Sequence, residues 1–228
     1  WIAQPAVAKQ DSSRLNVAFR YAAALGLDVD LQATAKARAL LGKHMHVTKH
    51  IPALPYAEVP EYYRMLQSKS STTCLALRLL ILTATRTSEV RMSTINEISK
   101  GLWIIPADRT KNGREHRVPL TDEAESVVRM AVNNSHSEWL FPSVTGKALS
   151  NMAMSMFMRK QGIDARPHGF RSSFRTWAEN ETDASWDVKE SALGHTVGGA
   201  VERAYQRSDR LVLRRRLMEQ WSTYLLHS

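Results

Sequence analysis

Residues 74–82, CLALRLLIL, are apolar on almost every face of a helix. A helix without a polar side cannot lie on a surface and has to be wrapped by other elements. No uninterrupted apolar run in the chain is long enough to cross a bilayer, which removes an integral-membrane reading. The run is therefore expected to be a helix buried within a domain, and 228 residues are ample for one. Composition agrees, with 43% hydrophobic and 23% charged residues. The one cysteine, Cys74, excludes a disulfide scaffold or a zinc site built on several thiolates, and fits a reducing compartment. Lys and Arg outnumber Asp and Glu by 31 to 22, a net charge of +9. Such a domain is suited to a polyanion, either nucleic acid or an anionic membrane face. The start, Trp1-Ile2-Ala3-Gln4, has neither an initiator Met nor the pattern of a signal peptide, and the chain reads as a piece of a longer protein.

Around the central run the spacing predicts further helices. Leu15, Phe19, Ala22 and Ala23 recur at helical intervals, and residues 33–41 form a second Ala/Leu-rich stretch ending at Gly42. The basic segment from Lys43 to His50, followed by Pro52, Pro55 and Pro60, reads as a linker. Residues 1–48 are therefore expected to be a small helical unit with its linker, and 49–228 the main domain. Short runs of strand character lie at 95–98, 102–105 and 116–120, with Asn112-Gly113 as a hairpin turn. Thr121-Asp122 opens a helix through Val132, and Ser150 is a cap for another reaching Gly162. The expected fold is mainly α with a small antiparallel β-sheet.

Residues 167–178, PHGFRSSFRTWA, carry the densest chemistry. As a helix they place Phe170, Phe174, Trp177 and Ala178 on one face and His168, Arg171 and Arg175 on another. An imidazole and two guanidiniums beside a helix N-terminus suit a phosphate, with a solvated basic face as the alternative for the cluster taken alone. Arg86 follows the buried helix, so its charge is carried inward and needs a partner, for which Glu89 is placed. Lys111, on the shoulder of the Asn112-Gly113 turn, reads as a mobile proton donor or as a solubilising tip. His195 follows Gly194, and Tyr205 lies between Arg203 and Arg207.

The order Arg86, Lys111, His168-x-x-Arg171, His195, Tyr205 resembles the tyrosine recombinase (phage integrase) family. The strings Leu82-Thr83-Ala84-Thr85-Arg86-Thr87-Ser88-Glu89, His168-Gly169-Phe170-Arg171, Leu193-Gly194-His195 and Tyr205-Gln206-Arg207-Ser208-Asp209 are similar to the same family, and most to integrases of P4-like prophages and genomic islands. The resemblance covers roughly residues 50–228 and implies a tyrosine recombinase catalytic-domain fold, with residues 1–48 the end of a core-binding domain. Ala84 departs from the family, which often has Gly there, and Gly198-Gly199 reads as a flexible approach to the tyrosine.

The resemblance implies catalytic roles for Arg86, Lys111, His168, Arg171, His195 and Tyr205. Tyr205 would attack a DNA phosphodiester to give a 3′-phosphotyrosyl bond, the arginines would clamp the phosphate, and His168 would assist removal of the tyrosine proton. Lys111 would protonate the leaving 5′ oxygen. No metal or other cofactor is expected. The implied partners are double-stranded DNA attachment sites, further copies forming a homotetramer on DNA, a DNA-bending host factor and an excisionase, in the cytoplasm. Arg175, Lys49, Arg109 and Arg114 are candidates for DNA-backbone contacts. Leu217, Trp221 and Leu225 are expected to pack on a neighbouring protomer, with packing on the chain's own core as the alternative. Two rival readings are a type IB topoisomerase-like enzyme and a non-catalytic DNA-binding protein derived from an integrase.

Overall fold

The computed structural model describes residues 5–42, 52–198 and 210–228, and the chain divides into two compact units, Trp1–His50 and Ile51–Ser228. In the first unit, α1 (Pro5–Ala24) and α2 (Ala33–Leu41) pair across a turn at Gly26. Leu15 and Phe19 of α1 face Ala33, Ala37 and Leu41 of α2. The pair is held by Thr34 donating to Asn16 and Arg38 donating to Ser12.

In the second unit, α3 (Val59–Gln67) precedes the central helix α4 (Thr72–Thr83), which Ser71 caps by accepting from the Cys74 N–H. Every residue from Cys74 to Thr83 is buried, as the all-round apolar pattern requires. Arg78 is the exception in chemistry. Its guanidinium crosses the core to Glu123 at 2.8 Å, and Tyr63 lies beside it. Around α4 stand α5 (Thr87–Arg91), α6 (Asp122–Asn134), α7 (Ala153–Lys160) and α8 (Gly169–Glu181). Among the described residues the unit also holds α9 (Trp186–Ala192) and α10 (Leu211–His227). Strands β1 (Ile98–Ser99), β2 (Leu102–Ile105) and β3 (His116–Pro119) form one antiparallel sheet in that order, with Leu102 opposite Pro119 and Ile105 opposite His116.

Four expectations need correction. Residues 95–97 are a 3₁₀ turn rather than strand, and α7 begins at Ala153 instead of at a Ser150 cap. Asn112-Gly113 is not a two-residue hairpin. Pro106 ends β2, a 3₁₀ turn follows at Ala107–Arg109, and the Thr110 hydroxyl ties the loop by accepting from the Arg114 N–H and donating to its carbonyl. Lys111 thus stands on a longer loop, 106–115.

The fourth correction concerns the last helix. Leu217, Trp221 and Leu225 are not left for a neighbour but are buried in the chain's own core. The Trp221 indole donates to the Ile81 carbonyl at 2.8 Å, and its ring packs 4.8 Å from Trp177 and edge-on to Phe174. The physical reason lies at the C-terminal end of α4, where unpaired carbonyls buried in the core need a donor. Arg215 fixes α10 further by donating to the carbonyls of Leu120 and Gly101.

Ala84 follows α4 with φ 48° and ψ 28°, buried in left-handed conformation. A Cβ in that region costs ~1–2 kcal/mol, which glycine avoids. Ala84→Gly is expected to raise the unfolding free energy by about 1 kcal/mol in urea titrations. A loss of stability would show the turn to be held by the methyl's packing instead.

Candidate active site

Arg86 is the N-cap of α5. Its backbone N–H donates to Glu89 Oε2 at 2.7 Å, and its Nη1 donates to Glu89 Oε1 at 2.7 Å. The Glu89 carboxylate is buried, so the expected pair exists as a clamp on both the backbone and the side chain of Arg86. The other end of the guanidinium, Nη2, donates to the Gly194 carbonyl at 3.2 Å.

Arg171 rises from α8, whose buried face is Phe170, Phe174, Trp177 and Ala178 as the spacing predicts. The first residue of that helix, Gly169, lies against Pro52 and Ala53, where a Cβ would come within 2.6 Å of the Pro52 carbonyl. Close approach at that point sets the height of α8. Arg171 itself is buried, with Nη1 donating to the Ala84 carbonyl at 2.6 Å and Nη2 to the Leu193 carbonyl at 2.7 Å. A further Nη2 contact reaches His195 Nε2 at 3.1 Å. Burial first, and then the positive charge of Arg86, pull the Arg171 guanidinium down to about 10. Two guanidiniums close enough to oppose each other's charge make a place that favours an anion.

His195 is delivered by the end of α9. The Gly194 N–H bonds to Ser191 O and the His195 N–H to Glu190 O, each at 3.0 Å, with Gly194 at φ +62°. This is a Schellman closure, and it sets residue 195 over residue 190. There the Glu190 carboxylate lies 2.6 Å from His195 Nδ1 through Oε2 and accepts from Arg175 Nε at 2.7 Å through Oε1. Burial acts to raise the Glu190 carboxyl, but the hydrogen bonds from His195 and Arg175 outweigh it and hold the carboxyl below its ordinary value. Glu190 escaped the sequence reading. The signal for it was the helix-ending Gly194, which pairs the residues on either side of it at this spacing.

His168 is the N-cap of α8. Its imidazole is held below the ordinary histidine value by loss of solvation, then by the charges of Arg171, Arg86 and Lys111. It is therefore neutral at neutral pH and able to accept a proton. Next to Lys111, the Asn112 amide reaches Gly194 O and Thr196 Oγ1, both at 3.4 Å, which brings the loop to the same turn. Beside Arg86 and His168 opens a cleft of about 490 Å³ lined also by Thr87, Ser88, Arg91, Asn151, Ser155, Arg166 and Pro167, with no carboxylate. Tyr205 and Lys49 lie outside the described residues, as does Gly199.

Of the arginines considered for DNA contacts, two have their charge answered within the protein. Arg175 pairs with Glu190 and Glu179, and Arg109 pairs with Glu97 while donating to the Glu89 carbonyl. Arg114 is exposed on the loop after Lys111.

His116 opens β3 beneath the site, buried under Gly194, where a Cβ would meet its Nδ1 at 2.8 Å. Burial, followed by the charges of Arg214, Arg171 and Arg86, pushes its imidazole down to about 3. Unfolded histidine titrates near 6.5, so between those values the unfolded chain binds a proton that the folded chain refuses. This contribution to stability is complete above about pH 6.5 and is lost as the pH falls towards 3. His116→Leu is expected to shrink the stability loss between pH 7 and pH 5 by about 2 kcal/mol relative to wild type in urea unfolding. An unchanged loss would place the acid sensitivity elsewhere.

The chain matches the Phage integrase family over residues 53–211. It is 34% identical over 184 residues to prophage integrase IntA of Escherichia coli K12, covering 76% of this chain and 44% of that protein. To the integrase of Enterobacteria phage P4 it is 31% identical over 201 residues, covering 78% and 46%. The chain thus spans a little under half the length of these two relatives. A lambda integrase tetramer bound to a Holliday junction has a similar fold, with a TM-score of 0.63 and 21% identity over 87% of this chain and 61% of that one. A lambda integrase fragment, residues 75–356, bound as a dimer to a COC′ core site aligns with a TM-score of 0.60 and 22% identity over 87% and 72%. At such identities these likenesses bear on the fold, which is that of tyrosine recombinase catalytic domains. With the family match across most of the second unit, and identity above 30% to an integrase over three quarters of the present chain, this protein belongs to the phage integrase family.

Proposed function

We propose that the chain carries the strand-cleaving part of a site-specific DNA recombinase serving prophage or genomic-island integration and excision. The observation that supports this most is the convergence of Arg86 and Arg171 on the Gly194 turn. Their shared positive field suits a phosphodiester, and each keeps N–H donors beyond those spent on protein carbonyls and Glu89. In this reading Tyr205 Oη attacks the phosphorus, the bond from phosphorus to the 5′ oxygen breaks, and a 3′-phosphotyrosyl bond forms. Neutral His168 takes the phenol proton, and Lys111 gives a proton to the departing 5′ oxygen. His195 adds a hydrogen bond at the phosphate. Strand exchange follows when a 5′-hydroxyl from a partner strand reverses the step. The carboxylate-free cleft beside Arg86 and His168 suits the flanking backbone. Double-stranded attachment sites are the substrate, and assembly is a tetramer on DNA in the cytoplasm, with a bending factor and an excisionase as accessory proteins.

The test is covalent trapping on a nicked half-site from a tRNA-gene attachment region, with the full-length protein run alongside. A denaturing gel is expected to show a DNA-shifted protein band that disappears in Tyr205→Phe. Salt-sensitive DNA binding without an adduct, in the full-length protein as well, would overturn the reading in favour of a non-catalytic binder. Plasmid relaxation without strand exchange would overturn it in favour of a topoisomerase-like enzyme.

A further inference from the structure

We propose that Glu190 is a positioning residue for strand cleavage: clamped by Arg175, its carboxylate holds His195 with the proton on Nδ1, so that Nε2 stays turned to Arg171. The proposal rests on the cleavage reading above and deepens it at one residue.

The geometry is a continuous chain of polar contacts. Lys189 Nζ lies 3.2 Å from Glu179 Oε2, which Arg175 Nη1 approaches at 2.6 Å. Arg175 Nε donates to Glu190 Oε1, Glu190 Oε2 faces His195 Nδ1, and His195 Nε2 faces Arg171 Nη2. An ionised carboxylate can only accept, so the His195 nitrogen 2.6 Å from it carries a proton. In the neutral ring the other nitrogen then has a lone pair, and at 3.1 Å it accepts from Arg171. Arg171 is held between the Ala84 and Leu193 carbonyls on two of its donors, and the His195 contact settles a third.

Glu190 has to be a carboxylate because it serves two donors at once. Arg175 is a permanent cation and requires an acceptor at Nε, while His195 Nδ1–H requires another. A glutamine supplies one acceptor oxygen. With that oxygen given to Arg175, its NH₂ faces His195 and forces the lone pair onto Nδ1. The ring proton then moves to Nε2, where it meets the Arg171 N–H donor to donor. A neutral isostere therefore turns an attractive contact at Arg171 into a repulsive one without removing any volume from the site.

The network also ties α8 to α9, through Arg175–Glu190 and Lys189–Glu179. His195 is the exposed end of it, with 44% of its side chain accessible, whereas only 15% of Glu190 is. A carboxylate spent under a half-exposed imidazole next to a buried arginine fits orientation of that imidazole better than support of the core.

The experiment compares wild type and Glu190→Gln in two ways. Ring ¹⁵N shifts of His195 in the full chain without DNA report the tautomer, and single-turnover adduct formation on the nicked half-site reports cleavage. The expected result is an Nδ1–H tautomer in wild type that shifts towards Nε2–H in Glu190→Gln, with adduct formation slowed about 10- to 100-fold. Thermal unfolding is read on the same samples, and the tautomer reports on the proposal even where stability also falls. An unchanged tautomer, or an adduct rate within about two-fold of wild type in a folded variant, would overturn the role of Glu190. Failure of wild type itself to form an adduct would count against the cleavage reading, and the NMR comparison would still decide how Glu190 holds His195.

Discussion

Replacing Arg171 by lysine is expected to cut single-turnover adduct formation by about 10³-fold while leaving a folded protein. The change keeps one positive charge and much of the aliphatic stem, so the loss reports geometry. A guanidinium spans the Ala84 and Leu193 carbonyls, reaches His195 Nε2, and still has two N–H groups left over. An ammonium has three donors on one nitrogen, and spending them on those three protein acceptors leaves none for a phosphate. One preorganised donor at a developing oxyanion is worth ~2.7–4 kcal/mol of barrier, which sets the expected factor. Lysine also leaves a buried carbonyl poorly served, costing ~1–3 kcal/mol of stability. Adduct formation is measured at 25 °C on protein confirmed as folded by circular dichroism. A rate within ten-fold of wild type would mean that charge alone, and not the fork, is what the site needs.

Gly194→Ala is expected to be strongly damaging for a change of one methyl. Two effects combine there. At φ +62° a side chain is strained, and its Cβ would sit 2.8 Å from His116 Nδ1 and 2.9 Å from Cε1. Those are atoms of a buried ring with little room to retreat, not the far end of a flexible chain. Together they cost about 2–4 kcal/mol. The functional loss should exceed what stability explains, because the Gly194 carbonyl accepts from Arg86 and Asn112, and the next residue is His195. Adduct formation is expected to fall at least about 100-fold even at temperatures where the variant is folded. A double-mutant cycle with His116→Ala isolates the clash: the second change should return a part of the stability and leave the φ penalty behind. Strict additivity of the two would show that His116 and residue 194 do not meet.

Two helices were legible from their apolar faces. Residues 74–82 read as a buried helix because no face was polar, and Phe170, Phe174 and Trp177 read as the inner face of α8 because their spacing matched the helical repeat. Arg86 with Glu89 was legible too, since a charge three residues from its opposite, next to a buried helix, has few other uses. The loop carrying Lys111 was less so. Asn112-Gly113 is a strong hairpin signal, but Pro106 and the Thr110 hydroxyl had already taken the chain out of the strand. The last helix was misread for a different reason. Its mixture of apolar and basic residues suits a neighbour's surface as well as its own core, and what decided was the Ile81 carbonyl that Trp221 satisfies.

Local pattern alone therefore determined that residues 74–82 and 167–178 hold buried helices, which face of the second is turned inward, and which residue types suit a phosphate. Those properties depend on neighbours within a turn or two of chain. Tertiary structure decided who answers whose charge. Arg175 and Arg109, which read as DNA contacts, proved to be tied to Glu190 and Glu97. His116 proved to be a buried neutral ring under the Gly194 turn. Arg86, Arg171 and His195 come from three separate stretches of chain, and only the folded backbone brings them to one place. Hydrogen bonds and ion pairs act over a few ångströms in space, and that distance is not written in the spacing of residues along the chain.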